Sequence, residues 1–146
     1  GKTFFWASNF SIGVNLFLQI NRRVAALMQA APNYHLSMDE THHIHKLDAP
    51  SGTAITLAEA ILSERPELTG WELTEEAHAE LLPITAHREG EVPGIHTVTY
   101  TSEVDRIVLT HEAFGRQGFA LGAVLAAEFA HTHQGWLTMD DMLQLG

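Results

Sequence analysis

Apolar residues in the first third of the chain recur every third or fourth position. Between about residues 11 and 30 they form one stripe, made of Ile12, Leu16, Ile20, Val24, Leu27 and Met28. This spacing predicts an amphipathic helix, which Ser or Asn side chains between 8 and 11 can cap and which Pro32 is expected to end. Apolar residues at 54, 57, 58, 61 and 62 predict a second helix over about 52–64 in the same way.

Four stretches have the composition of β-strands. Residues 34–40 alternate imperfectly between apolar and polar side chains, and residues 81–88, 95–101 and 106–114 follow, the last two rich in β-branched side chains. We expect a loop at 66–70 and an exposed acidic segment at 71–80. The pattern predicts an α/β (α+β) domain with a mixed, roughly four-stranded open sheet, helices on one face, and the other face available for subunit pairing.

Both ends of the chain contain apolar segments that need a partner surface, which a small domain does not supply. A strand-like run, Phe4 to Ala7, stands close to Gly1, and because there is no initiator methionine we expect a piece of a longer protein. Residues 118–130 predict a helix whose only charge is Glu128, and a helix that is apolar all round must be buried. The tail predicts a short helix with Thr138 as its N-cap.

Composition narrows the choice of partners. A formal charge of −10 argues against nucleic acid and against an anionic membrane, since both attract clustered Lys and Arg. The chain has no cysteine, which excludes disulfides and thiolate chemistry and fits a reducing, cytoplasmic location. No apolar stretch reaches the roughly 18 to 20 residues of a membrane span, so we expect a soluble protein.

The densest group of chemically active side chains lies between the strand at 34–40 and the second helix. Within five residues it contains His42, His43, His45 and Lys46. The turn 50–53 then leads to the N-terminus of the second helix, where unpaired N–H groups and the positive end of the helix dipole favour an anion. Imidazole titrates near neutrality and lysine supplies charge or a proton. These residues predict acid–base chemistry on an anionic small molecule.

Other interpretations of the histidines stay open at this point. His43 and His45 could ligate a metal together, because residues two apart in an extended segment share a face, although Lys46 disfavours a dication there. Each histidine alone could also be a structural residue satisfied by hydrogen bonds. His96 and His111 lie on strands that can pair and so could share a face. Arg88, beside a glycine turn, could hold a carboxylate or form a surface ion pair.

Four segments together resemble the 4-hydroxy-tetrahydrodipicolinate reductase family, also called dihydrodipicolinate reductases. The longest is Glu40-x-His-His-x-His-Lys-x-Asp-Ala-Pro-Ser-Gly-Thr-Ala54. The others are residues 7–15, Arg88-Glu-Gly-Glu-Val-Pro-Gly-Ile-His96, and Thr110-His-Glu-Ala-Phe-Gly-Arg116 followed by Phe119-Ala120. Ile44 stands where some members carry a basic residue, which weakens the local positive field.

The resemblance implies a domain organisation and a set of partners. Residues 1–10 would be an interdomain hinge and cofactor contact, residues 11–115 the substrate-binding and oligomerisation domain, and residues 116–146 a segment that returns to a nucleotide domain absent from this chain. NADH or NADPH would be bound mainly by that absent domain, since no G-x-G-x-x-G follows a strand here. The substrate would be a small anionic dicarboxylate, the assembly a homotetramer, and the chain alone inactive.

By resemblance, the reaction is hydride transfer to a cyclic unsaturated imine dicarboxylate, with loss of water, in lysine and diaminopimelate biosynthesis. His42 and Lys46 match the family's catalytic proton donors. Substrate would be held by His43, Gly52 and Thr53. The nicotinamide end of the cofactor would contact Ala7, Ser8, Asn9 and Phe10. No metal is expected.

Two alternative functions remain at this stage. One is a non-catalytic module that binds dicarboxylates or mediates oligomerisation. The other, less favoured, is a metal-dependent hydrolase that uses His43 and His45.

Overall fold

The helices and strands follow the hydrophobic pattern closely. The computed structural model describes residues 1–145. Its elements, in chain order, are β1 (Thr3–Phe5), α1 (Ile12–Leu27) with a 3₁₀ turn after it (Met28–Ala30), β2 (His35–His42), α2 (Gly52–Glu64), β3 (Gly70–Leu73), β4 (Leu81–Arg88), β5 (Gly94–Thr101), β6 (Arg106–Ala113), α3 (Gln117–Thr132), β7 (Gly135–Leu137) and α4 (Met139–Leu143).

These elements belong to two compact units. One unit consists of Gly1–Gln19 and the segment that starts at Ala113, and the other of Ile20–Glu112. The division falls inside α1. Within residues 1–145, no helix combines the length and the apolar character needed to cross a membrane.

The unit 20–112 is built on a five-stranded sheet with the order β3-β4-β2-β5-β6. Strand β2 pairs parallel with β4 and antiparallel with β5, and β3 pairs parallel with β4. The predicted mixed, open α/β sheet is confirmed, with one strand more than expected. The added strand is β3, which lies at the start of the segment that we expected to be exposed. Its four residues alternate too briefly to be recognised, and the pairing of Trp71 with Leu82 brings them into the sheet.

One face of this sheet carries the core. Its central side chains are at most 1% exposed and come from alternate positions of three strands: Met38, Leu82, Ile84, Val98 and Tyr100. Helix α2 contributes Ala54, Leu57, Ala58 and Ile61, all completely buried. Full burial of a Leu or Ile side chain contributes about 1.5–3 kcal/mol, so these contacts fix α2 against the sheet. The start of α2 therefore has a defined position beside β2 and β5.

The other unit contains a parallel pair of short strands and helix α3. Strands β1 and β7 pair from Thr3 with Gly135 to Phe5 with Leu137. The ring of Phe5 lies 5.9 Å from that of Phe10 and 6.4 Å from that of Phe129, centre to centre. The strand-like run near the N-terminus is confirmed as β1.

The apolar helix α3 is only partly covered by the described residues, and the expectation that it returns to a nucleotide domain stays a prediction. Only Gly122 and Ala126 of α3 are buried, while Leu121 and Val124 are 59% and 55% exposed. Sequence alone shows that a surface is apolar, but whether something covers it depends on tertiary contacts.

The predicted helix of the tail is confirmed as α4. The hydroxyl of Thr138 accepts a hydrogen bond from the Asp141 N–H, and the Asp141 carboxylate accepts one from the Thr138 N–H. This reciprocal capping satisfies two donors at the helix start. Trp136 and Leu137, which precede the cap, belong to β7.

Candidate active site

Strand β2 ends with a carboxylate and an imidazole on the same side. Glu40 and His42 are two residues apart, and side chains two apart in a strand share a face. Glu40 is completely buried, and its Oε2 lies 2.5 Å from His42 Nδ1. The two groups form an ion pair when His42 is protonated.

Arg88, at the end of β4, holds the other oxygen of the same carboxylate. Its Nη1 donates to Glu40 Oε1 at 2.7 Å and to the His87 carbonyl, and its Nη2 donates to the Asp48 carbonyl. Burial acts to raise the pKa of Glu40, but the hydrogen bonds from His42 and Arg88 outweigh it and lower that pKa to about 2. Glu40 is therefore ionised at neutral pH.

His96, on the neighbouring strand β5, lies against His42. The two rings meet edge to face with their centres 5.1 Å apart. Burial lowers the pKa of His96 to about 4, and the positive charges of His42 and Lys46 act in the same direction. An uncharged His96 thus stands beside the His42–Glu40 pair, with Nε2 at 2.9 Å from Ser51 Oγ.

Ser51 connects the histidines to the start of α2. Its hydroxyl also accepts a hydrogen bond from the Ala54 N–H and so caps the helix. The first main-chain hydrogen bond of the helix runs from the Ile55 N–H to the Ser51 carbonyl. The N–H groups of Gly52 and Thr53 precede that bond and lie at the positive end of the helix dipole, which makes them donors suited to a carboxylate.

Lys46 lies in the loop between β2 and α2. Its Nζ donates to Asp48 Oδ1 at 2.9 Å, and this hydrogen bond holds the pKa of Asp48 below its ordinary value. The Ile44 N–H donates to the Gly90 carbonyl, and the Glu89 N–H donates to the His42 carbonyl. These bonds anchor the loop to the turn after β4. Asp48 accepts from Lys46 through its side chain and from Arg88 through its main-chain carbonyl, so the two cations belong to one hydrogen-bonded group.

The metal interpretation needs His43 and His45 to ligate one ion, but the group of three ligand-type side chains found among the described residues contains neither of them. Their ring centres lie 5.8 Å apart, and His45 Nε2 lies 3.0 Å from Glu91 Oε1. His43 Nδ1 is buried and has no hydrogen-bond partner among the described residues.

Glu40, His42 and His96 each bring one ligand-type atom to within 4.8 Å of the others. The carboxylate of this set already binds a guanidinium, and a dication would have to share the space with that charge. We therefore interpret the three side chains as proton-handling groups.

Most of the predicted site residues lie together. His42 ends β2, His43 and Lys46 follow it in the loop, and Gly52 and Thr53 begin α2 next to Ser51, which contacts His42 through His96. The segment Ala7–Phe10 belongs to the other compact unit, where the Asn9 side chain accepts a hydrogen bond from the Ser11 N–H.

Three contributing residues were missed or underestimated in the sequence. Glu40 was only part of a motif, Arg88 could equally have been a surface ion pair, and His96 was an unassigned histidine on a strand. The one signal available was the alternation that places Glu40 and His42 on one face of β2.

A comparison with protein families identifies the group to which the chain belongs. The model described as "Dihydrodipicolinate reductase, C-terminus" matches residues 13–143, which include every site residue of the unit 20–112. The chain is a member of this family. The resemblance seen in the sequence is thereby confirmed.

Similar proteins carry the same family name. The 4-hydroxy-tetrahydrodipicolinate reductase of Christiangramia forsetii is 53% identical over 142 residues, which cover 97% of this chain and 59% of that protein. The reductase of Oleidesulfovibrio alaskensis is 40% identical over 153 residues, which cover 95% of this chain and 56% of that protein. The chain thus spans little more than half the length of these dihydrodipicolinate reductases.

A solved structure supports the fold. Dihydrodipicolinate reductase from Paenisporosarcina sp. TG-14, determined with dipicolinate bound, matches 96% of this chain and 54% of its own with a TM-score of 0.70 and 25% identity. The arrangement of elements in this chain is therefore that of a dihydrodipicolinate reductase over the matched part.

Proposed function

We propose that this chain is the substrate-binding part of an NAD(P)H-dependent 4-hydroxy-tetrahydrodipicolinate reductase of lysine and diaminopimelate biosynthesis. The observation that carries the proposal is the position of an imidazole–carboxylate pair beside a helix N-terminus with unused N–H donors. His42 and the start of α2 are connected through His96 and Ser51. Such an arrangement suits an anionic substrate that must receive a proton.

The N-terminus of α2 is the proposed seat of a substrate carboxylate. The N–H groups of Gly52 and Thr53 and the hydroxyl of Thr53 supply donors, and the helix dipole favours the negative charge. His43, which directly follows the end of β2, is proposed as a further contact for the substrate. The dipicolinate found in the related reductase is a dicarboxylate, which supports this choice of ligand.

His42 and Lys46 are the proposed proton donors. Reduction of a conjugated imine leaves an electron-rich enamine, which needs a proton from a positioned acid. NADH or NADPH supplies the hydride when it is bound. Glu40 lies on the Nδ1 side of His42, and Lys46, in the loop that follows, donates to Asp48.

The part of the chain proposed to meet the cofactor is Ala7–Phe10. Ser8 is exposed, while Asn9 folds its side chain back to cap the start of α1 through the Ser11 N–H. These four residues offer a short polar contact for a nicotinamide ring but no glycine-rich loop for a pyrophosphate. The larger part of the nucleotide contacts must therefore come from residues outside this sequence.

We also propose that the chain assembles as a homotetramer through the face of the sheet near β6. This edge strand leaves Ile107 and Val108 40% and 51% exposed. Exposed apolar residues on an edge strand favour pairing with another copy of the chain.

The first test is calorimetric titration of the chain with pyridine-2,6-dicarboxylate. We expect saturable binding that is lost in a triple variant, His42→Gln, Lys46→Ala and Thr53→Val. A matched control is His87→Gln, which removes an exposed histidine paired with Asp39 on the same strands. Equal binding by the triple variant and by the control would refute the proposed site.

A non-catalytic dicarboxylate-binding module is the second candidate, because the chain covers only 59% of the Christiangramia forsetii reductase. The two functions differ in turnover. A chimera in which this chain replaces the matching part of that reductase is expected to oxidise NADH or NADPH only when substrate is present. Dicarboxylate binding without turnover in the chimera would favour the module.

A further inference from the structure

The two oxygens of the Glu40 carboxylate face different partners. Oε2 faces His42 Nδ1 at 2.5 Å, and Oε1 accepts from Arg88 Nη1 at 2.7 Å. The Glu40 side chain is completely buried, so water does not compete for either oxygen. Arg88 therefore fixes the orientation of the Glu40 carboxylate, and the remaining oxygen faces His42.

Arg88 is itself fixed at three acceptors. Besides Glu40, its guanidinium donates to the carbonyls of His87 and Asp48 at 2.7 Å each. A guanidinium has donors only, so whatever atom of residue 40 faces Arg88 must be an acceptor. The same arginine is connected to Lys46, since the Asp48 side chain accepts from Lys46 Nζ.

This geometry determines which nitrogen of a neutral His42 carries hydrogen. Nδ1 lies 2.5 Å from Oε2, and an ionised carboxylate only accepts hydrogen bonds, so a neutral His42 carries its hydrogen on Nδ1. Nε2 is then left without hydrogen. A Cβ on Gly94 would lie 3.1 Å from Nε2, so the glycine at this position keeps the space beside that nitrogen open.

We propose that Glu40, oriented by Arg88, is a positioning residue that fixes His42 in the Nδ1–H tautomer and aims Nε2 at the substrate. The proposal rests on the proposed function for its consequence in catalysis, but the tautomer itself is a property of this chain. Four charged or titratable groups surround His42: Glu40 on its own strand, Arg88 on β4, His96 on β5, and Lys46 in the following loop.

The decisive measurement is long-range ¹H–¹⁵N NMR of the imidazoles in this chain, which distinguishes the two tautomers. In the unaltered chain at pH 8 we expect His42 as Nδ1–H. The Nε2–H tautomer there would overturn the proposal, whatever the variants show.

Glu40→Gln tests the role of the carboxylate at almost constant volume. Arg88 requires the amide oxygen of the introduced glutamine on its side, which turns the amide NH₂ toward His42 Nδ1. Nδ1 must then accept, and His42 is expected to change to the Nε2–H tautomer. An unchanged tautomer in a folded Glu40→Gln variant would overturn the proposal.

A double variant tests the role of Arg88. In Glu40→Gln/Arg88→Met the amide is no longer held in one orientation, so both tautomers of His42 are expected. A single Nε2–H form, as in Glu40→Gln alone, would show that Arg88 does not orient residue 40. The matched control is Glu91→Gln, which alters the exposed carboxylate beside His45 and is expected to leave His42 as Nδ1–H.

Turnover of the chimeric reductase measures what the Glu40→Gln substitution does to catalysis. Glu40→Gln is expected to lower kcat by roughly 10²- to 10⁴-fold, the range for general acid–base catalysis, with the affinity for pyridine-2,6-dicarboxylate changed less than about threefold. Normal kcat together with a changed tautomer would overturn the positioning role. Absent dicarboxylate binding with the expected tautomers would instead count against the proposed function.

Discussion

His96 is a histidine held uncharged inside the protein. Its pKa is lowered from 6.5 to about 4, chiefly by burial. Between pH 6.5 and 4 the unfolded chain binds a proton that the folded chain does not, so the free energy of unfolding rises with pH across this window. Glu40 stabilises the folded chain in a different pH range, because folding lowers its pKa from 4.5 to about 2. This stabilisation is complete above pH 4.5 and is lost as the pH falls through 2.

We predict that His96→Gln flattens the pH dependence of stability between pH 4 and 6.5. Gln can still bond to Ser51 but does not titrate. Urea unfolding at half-unit steps of pH measures the change, and His35→Gln, at an exposed position, is the control. An equal slope in His96→Gln and in the unaltered chain would show that His96 is not held uncharged.

The catalytic prediction also belongs to single residues. In the chimeric reductase, His42→Gln and Lys46→Ala are each expected to lower turnover by roughly two to four orders of magnitude, since each removes a proton donor. Steady-state kinetics with saturating dicarboxylate substrate measure the effect. Near-normal turnover in both variants would remove these residues from the proton-transfer step.

Among the elements, α3 depends on one residue that has no side chain. A Cβ on Gly122 would lie 1.6 Å from the Phe10 carbonyl oxygen, which is a main-chain atom and cannot move without shifting the segment before α1. Gly118, in the same helix, has only Ser11 Oγ at 3.7 Å from its position for a Cβ. The two glycines therefore form a matched pair.

Gly122→Ala is expected to destabilise the unit that contains α3 by about 3 kcal/mol or more, because the new methyl group overlaps the main chain. Gly118→Ala is expected to be neutral or to stabilise by up to about 1 kcal/mol, through its better helix propensity. Thermal unfolding followed by tryptophan fluorescence compares them. Equal stability of the two variants would show that α3 does not pack closely on Phe10.

At the scale of the whole molecule, cations are scarce, and two of the eight lie at the site. The chain has eight Lys and Arg against eighteen Asp and Glu, and Lys46 and Arg88 meet through Asp48.

We predict that this chain binds NADH more weakly than a Kd of about 1 mM while it binds pyridine-2,6-dicarboxylate. The reason is that its sequence has no glycine-rich loop after a strand to hold a pyrophosphate. A fluorescence titration with NADH tests this, with the Christiangramia forsetii reductase as the positive control. Saturable binding at micromolar NADH would place a nucleotide site within these 146 residues.

The sequence by itself determined the elements whose signals are local. Helix α2 follows from its apolar spacing, and α4 from the capping chemistry of Thr138, because both depend on hydrogen bonds between residues a few positions apart. The motif at 40–54 likewise identified His42 and Lys46 together as candidate site residues.

Only the tertiary structure decided what those residues touch. Glu40 and Arg88 are 48 residues apart and meet because β2 and β4 pair in parallel with His42 opposite Arg88. The low pKa of His96 comes from burial under neighbouring elements, and the exposure of α3 from how little of it the rest of the described chain covers. Strand register, the burial of a side chain and the covering of an apolar surface depend on residues far apart in the sequence, and hydrophobic periodicity does not encode such contacts.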